Sequence, residues 1–497
     1  MRQTPEKEIL DQDRFHTMFH QYKQFRRANG AAGREAKEII GLASGAIHFL
    51  MPRVAVIGGG LAGLASAVAL GSAGFEVDLY EARNFLGGRA TSWPVGQSSD
   101  GVEGEMIDNC QHVLLRCCVN LLDLYRRLGV GNKIGFHREF HFIEPGGRVS
   151  VLKRGMLPAP AHFFGSFLKL KFLDIPDKIA IGRAVNAIPR ERRTRTDLDR
   201  ITMLDWLREK RQTARAIERY WRQVLVSAVN EELDRMAAAH GFQVFWLGMI
   251  ARADSYEMGI PAVPLRELYD EHSLARAGAI RIQHRSSITA IETADSAVTA
   301  IHSAAGPNAG VGRADYYISA LPFERLQPLL PGLPVEWGTF EHSPITGIHL
   351  WFDRPVTTLP HATLLDRTIQ WMFNKSEGRY IQTVVSASRS LTEMPRNEII
   401  DLAVRELAEF FPVVKDARLE KAQVIKEVRA TFSAKPGLEA LRPLSRTHLK
   451  NFFLAGDWTR SGWPATMEGA VRSGYLAAEA VTEAAGRPQR FLLPDVA

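Results

Sequence analysis

The run Gly58-Gly59-Gly60-Leu61-Ala62-Gly63 constrains this chain more than any other stretch. It fits the pattern G-x-G-x-x-G. The apolar run before it, 53–57, reads as a buried strand, and residues 61–73 read as a helix. Residues 76–81 read as a second strand, which completes a βαβ unit. In that setting Gly58 permits a tight turn, Gly60 lets the backbone approach a pyrophosphate, and Gly63 lets helix and strand pack closely. The helix start at Leu61 and Ala62 offers N–H groups and a partial positive charge to phosphates. Glu81, followed by Ala82, ends the second strand 18 residues past Gly63, where a carboxylate can accept ribose hydroxyls.

A dinucleotide loop alone does not separate NAD from FAD, but two further segments do. Leu86-Gly87-Gly88-Arg89 pairs two small residues with a cation that can bind phosphate or face a flavin. Near the C-terminus, Gly456-Asp457 follows a strand and can place a carboxylate on ribityl hydroxyls. The next helix start, at Met467, Glu468 and Gly469, can aim N–H groups at the pyrimidine side of an isoalloxazine ring. Ile288, in returning strands, is a further expected contact. No Cys or His lies within 463–469, so a non-covalent FAD is expected.

With 497 residues, the chain is too long for one core. The expected class is α/β: a Rossmann-type FAD-binding domain, split in sequence, with an inserted α+β substrate-binding domain and a helical, membrane-proximal segment. Residues 1–50 read as an N-terminal extension, either a loose helix or disordered, or as a stretch preceding a true start at Met51. The FAD-binding parts are expected at 51–150, 263–330 and 426–497. A helical substrate and membrane region is expected at 151–262, and a substrate-domain sheet and helix at 331–425. A net charge of +7 with no basic run interleaved with aromatics argues against nucleic acid. The three cysteines, Cys110, Cys117 and Cys118, form no C-x-x-C pair, which argues against a metal and for a reducing cytoplasm. No run of 18 apolar residues is present, so a membrane span is not expected.

These motifs resemble the amine oxidase and phytoene desaturase superfamily of FAD enzymes. Within it, four stretches are similar to the squalene-associated FAD-dependent desaturases, the hydroxysqualene dehydroxylases of bacterial hopanoid pathways. They are 108–115 (DNCQHVLL), Trp371 with Met372 and Phe373, Arg429-Ala430-Thr431-Phe432, and 455–474 (AGDWTRSGWPATMEGAVRSG). The resemblance covers 52–485; Cys110 departs from it, standing where a small residue such as glycine is expected.

The resemblance implies replacement of the allylic hydroxyl of hydroxysqualene by hydrogen, giving squalene. Such a reaction needs a proton donor, a flavin face and a low-dielectric tunnel for a long isoprenoid chain. His112 and Asp254 are the candidate donors, with a packing or cofactor-orienting role for His112 and a capping or salt-bridge role for Asp254 as their plainer readings, and bound water as a third source. Phe164, Phe245, Trp351, Trp371, Phe373 and Trp463 are the expected substrate walls, although such aromatics often serve only as core. Residues 156–173, apolar with Pro, Lys169 and Lys171, read equally as a buried helix or as peripheral contact with the inner face of the cytoplasmic membrane. The same frame admits a carotenoid-type desaturase or an amine oxidase with reversed electron flow, and more remotely a lipid escort without catalysis. No second dinucleotide fingerprint is present, so the electron donor is either transient NADPH or a separate reductase.

Overall fold

The apolar run that precedes the glycine motif forms the middle of a parallel sheet. A computed structural model describes residues 51–95, 104–304 and 310–496; residues 1–50, for which an extension was expected, lie outside the described residues. Strand Arg53–Ile57 pairs with Glu76–Tyr80 on one side and Tyr316–Ser319 on the other. Ile280–Gln283 and Phe452–Leu454 add outer strands, all parallel. Val54, Val56, Val77 and Leu79 have no exposed surface, as expected for parallel strands covered on both faces. One sheet thus gathers strands from three widely separated parts of the sequence, the Rossmann-type α/β arrangement.

Helix Leu61–Ser72 is built almost wholly of small and apolar residues, and nearly all of it is buried. It packs on the last helix, Met467–Ala484, through small residues: Ser66 Oγ donates to the Gly474 carbonyl at 3.1 Å, and a Cβ on Gly474 would stand 2.8 Å from that of Ala65. Both helices therefore begin at the same end of the sheet, above the carboxyl ends of its strands.

A second, seven-stranded sheet runs in the order Leu419–Phe432, His342–Phe352, Tyr380–Ser386, Trp371–Ser376, His361–Leu364, Glu139–Glu144, Arg148–Lys153. Helix Arg396–Phe410 covers one face through Ile399, Ala403 and Leu407. Two features differ from the expected boundaries. The hairpin 139–153 spans the 150/151 boundary and pairs with the substrate sheet, Phe142 opposite Thr363 and Ile143 opposite Leu364. Leu419–Phe432 is one continuous strand across the 425/426 boundary. Alternating apolar residues announce a strand but not its partner, and both partnerships are long-range.

The region after the hairpin contains several helices. Helix Ile175–Thr194 starts with a capping box between Asp174 and Asp177. Trp206, Trp221, Phe242 and Leu225 form its buried core with the neighbouring helices Met203–Glu209, Arg222–Val229 and Ala238–Phe245. The described residues from Arg53 to Val496 form one compact unit. No helix of the described residues is long and apolar enough to cross a membrane.

Candidate active site

Two glycine segments meet backbone to backbone to make the floor of a cavity of about 740 Å³. Gly58 turns with φ +108° and donates its N–H to the Tyr80 carbonyl at 2.8 Å. Gly87 and Gly88 are also left-handed, and the Gly87 N–H donates to Gly59 O at 2.9 Å. A Cβ on Gly88 would lie 3.0 Å from the Gly60 Cα, so this approach requires glycine. Gly63 does not face the cavity; a Cβ there would overlap the Gly58 carbonyl oxygen, so its role is the close packing of helix on strand. Glu81 closes the loop: Oε2 accepts from Gly59 N and Oε1 from Arg83 N, each at 2.8 Å.

The opposite wall comes from the C-terminal segment. Arg89 bridges the two, its Nη2 donating to Asp457 Oδ1 at 2.6 Å and its Nη1 to the Ala430 carbonyl at 2.8 Å. Ala82, Ile288, Gly456 and Met467, four more of the expected residues, also line the cavity. Helix Leu61–Ser72 begins at Gly60 with no side-chain cap, so Leu61 and Ala62 present uncapped N–H groups to this space.

Beside it lies a second cavity of about 240 Å³ with apolar walls, including Phe140, Phe142, Leu152, Leu247, Trp371, Phe373 and Trp463. The two cavities share Cys110, Gln111, Val113, Ser227, Ala228, Ile345, Thr466 and Met467. Trp371 stacks on Phe373 with centroids 5.7 Å apart and donates Nε1–H to Ser227 Oγ at 2.6 Å. Among the described wall residues of the apolar cavity, the only ionisable side chains besides cysteines belong to Glu468.

The sequence pattern of the flavin containing amine oxidoreductases matches residues 61–482. The chain belongs to that family. Its cofactor is FAD, and it is an FAD-dependent oxidoreductase. The zeta-carotene desaturase of Synechocystis sp. is 27% identical over 492 residues, covering 89% of this chain and 99% of that protein. The 15-cis-phytoene desaturase of Synechococcus elongatus is 26% identical over 461 residues, covering 86% and 95%. Among solved structures, putrescine oxidase bound to putrescine superposes with a TM-score of 0.65 at 15% identity, over 88% of this chain and 99% of that one. An oxidoreductase from Methanosarcina mazei gives 0.64 at 17% identity, over 87% and 100%. At these identities the structural likeness speaks to the fold alone.

FAD suits the larger cavity of this flavin oxidoreductase. Uncapped N–H groups at Leu61 and Ala62 match a pyrophosphate, and the Gly60–Gly88 approach leaves backbone where a Cβ would intrude. Glu81 still has lone pairs for ribose hydroxyls after accepting its two amides.

Other expected residues stand elsewhere. Glu468 turns away from the larger cavity and caps helix Val119–Arg127, accepting from Asn120 Nδ2 at 2.8 Å and Leu121 N at 2.7 Å. Burial raises its carboxyl to about 7 despite those donors. The Gly469 N–H is not free for a flavin, because Thr466 Oγ1 accepts it at 3.0 Å. Asp254 lies in neither cavity and forms a two-pronged pair with Arg252 at 3.1 and 2.9 Å. His112 does line the larger cavity. Its Nδ1 faces the Cys110 carbonyl at 2.9 Å, and a carbonyl only accepts, so that nitrogen carries the proton. Burial lowers its pKa, against the upward pull of the same carbonyl, so the ring is neutral near pH 7 and a poor acid.

Three of the six expected wall aromatics are displaced. Trp351 shares a strand face with Ile345 but lies six residues further along, about 20 Å away. There it stacks on Tyr380 at 4.4 Å and bonds Glu105. Phe245 is a core residue against Trp221 at 4.5 Å, since Val244, Leu247 and Gly248 take the cavity side of its helix and the π-turn that follows. Phe164 is 58% exposed on the outer surface. Asn109, Leu321, Thr431 and Trp458 join the larger cavity without having been expected. Asn109 stood within the 108–115 stretch, and its Nδ2 donates to the Arg89 carbonyl at 2.6 Å, but only the fold brings the two together.

Proposed function

We propose that this FAD oxidoreductase removes hydrogen from a long apolar isoprenoid, as a carotenoid-type desaturase. The observation that carries the reading is the junction between the two cavities. Its side chains are Cys110, Gln111, Val113, Ser227, Ala228, Ile345, Thr466 and Met467, none of them ionised near pH 7. Burial pushes the Cys110 thiol up to about 12, so it neither gives nor takes a proton there. When bound, FAD supplies a two-electron acceptor. The chain's own part is to exclude water, to hold a hydrocarbon between Trp371, Phe373, Trp463 and Leu247, and to orient a saturated C–C bond at the junction. The relatives named as zeta-carotene and phytoene desaturases support this direction of electron flow. The electron acceptor that restores the oxidised flavin is a separate small molecule or protein.

One observation favours a second reading, reductive dehydroxylation of hydroxysqualene to squalene. That reaction needs an acid, and Glu468, half protonated near pH 7, lines the apolar cavity. The stretches 108–115 and 455–474 resemble the hydroxysqualene dehydroxylases.

One experiment separates the two. The FAD-loaded protein is mixed anaerobically with detergent-dispersed zeta-carotene, and in parallel the pre-reduced protein is mixed with hydroxysqualene. Flavin bleaching with a more unsaturated carotenoid supports the desaturase. Flavin reoxidation with release of squalene overturns it in favour of the dehydroxylase.

A further inference from the structure

Large apolar side chains on the surface are concentrated in one short part of this protein. Met156, Leu157, Phe164, Leu168, Ile175 and Ile179 are all exposed, Met156 fully and Ile175 at 74%. Scattered exposed apolar residues need no explanation, but a contiguous group does. Phe164 and Leu168 stand four apart on the short helix Phe164–Leu168, and Ile175 and Ile179 four apart at the start of Ile175–Thr194. Lys178 Nζ donates to the Leu168 carbonyl at 2.9 Å, which sets the end of one helix beside the first turn of the other. The two pairs therefore lie on neighbouring turns.

The charge around these residues is one-sided. Arg154, Lys169 and Lys171 are exposed, and among the described residues no carboxylate forms an ion pair with them. The acids nearby are neutralised: Asp174 pairs with Arg215 at 2.5 Å and Glu139 with Lys153 at 2.8 Å.

The patch also backs onto the apolar cavity. Ser166 Oγ donates to the Lys153 carbonyl at 2.6 Å and accepts from Lys153 N at 3.1 Å, beside cavity-lining Leu152. Inside the same segment, Phe172 packs on Phe142 of the cavity wall, ring centroids 5.1 Å apart.

We propose that residues 154–179 form a docking surface for the face of a lipid bilayer carrying anionic headgroups. Apolar side chains enter the acyl boundary while the unpaired cations meet lipid phosphate, which combines the two contributions to monotopic binding. The position suits a protein whose substrate dissolves in the bilayer, and in that respect the assignment rests on the isoprenoid reading. Bilayer attachment itself does not depend on that reading.

The test is flotation of the full-length, FAD-loaded chain with vesicles of phosphatidylcholine alone, and of phosphatidylcholine with about one-third phosphatidylglycerol. The expected result is tight binding to the anionic vesicles, weakened by salt. Phe164→Ser with Leu168→Ser, and separately Lys169→Gln with Lys171→Gln, should each weaken it about tenfold or more. Flavin absorbance confirms that each variant is folded, and turnover of detergent-dispersed substrate should be unchanged, which keeps this test independent of the catalytic one. Failure of the unaltered protein to float, or equal binding by all variants, overturns the proposal. So does a self-association that the Phe164/Leu168 variant abolishes, which would assign the patch to a second copy of the chain.

Discussion

Arg89 and Asp457, 368 residues apart in sequence, are joined by a 2.6 Å hydrogen-bonded ion pair that ties the second glycine segment to the C-terminal loop. Asp457 is the buried partner, its side chain 8% exposed, whereas that of Arg89 is 38% exposed. The pair does what no local element does: it closes the larger cavity by joining segments from the first and last parts of the chain.

Arg89→Ala leaves the Asp457 carboxylate without its strongest partner and the Ala430 carbonyl without its donor. The expected loss is about 1–2 kcal/mol, in the lower part of the range for an orphaned buried group because Arg89 is partly solvated. FAD affinity should fall alongside. Urea unfolding of the apo and FAD-loaded forms measures both; an unchanged midpoint and unchanged flavin retention would refute the bridging role.

Gly63→Ala tests the packing role of the third glycine. A Cβ there overlaps the Gly58 carbonyl, which is backbone and cannot step aside. The cost should exceed about 3 kcal/mol, and the protein should lose its FAD or fail to fold. Gly74→Ala is not a suitable comparison, since its φ is +82°. Gly182→Ala, with open space around the position, is the control and should leave flavin content intact. Flavin-to-protein ratio after gel filtration gives the readout.

Glu468 sets a pH dependence of stability. Its folded carboxyl titrates near 7 against an ordinary 4.5, so the folded state binds this proton more tightly than the unfolded state. The resulting stabilisation is full below about pH 4.5 and is lost as pH rises through about 7, a change of roughly 3 kcal/mol. Glu468→Gln should flatten that part of the profile. Urea midpoints of both proteins between pH 5 and 8 test this, and parallel slopes would sink the assignment.

Leu247→Trp should obstruct the apolar cavity, whose wall it forms with 5% exposure, while leaving the larger cavity untouched. The expected outcome is at least a tenfold loss of isoprenoid turnover with a normal flavin spectrum. Full turnover in this variant would mean the substrate binds elsewhere.

The βαβ unit was legible because each of its signals is local: an apolar run, three spaced glycines, an acid at the end of the next strand. The same locality misled at Glu468 and Gly469. A helix start in the right sequence context suggested free N–H groups and a nearby carboxylate, but Thr466 takes the Gly469 amide and Glu468 turns to cap another helix. Asp254 was ambiguous for the same reason, since only the fold shows that Arg252 occupies it.

The sequence by itself therefore determined the FAD-binding frame, because an apolar strand and a helix joined through glycines leave few arrangements open: Gly58 takes a positive φ, and Gly63 lets the helix pack closely on the strand. Tertiary structure alone decided which aromatics wall the substrate cavity and how Arg89 meets Asp457. Strand and helix periodicity assign a residue to a face, but where along that face a neighbour lies depends on contacts hundreds of residues away. Trp371 and Phe373 reach the cavity and Trp351 does not because strand pairing places them at different distances from the flavin site.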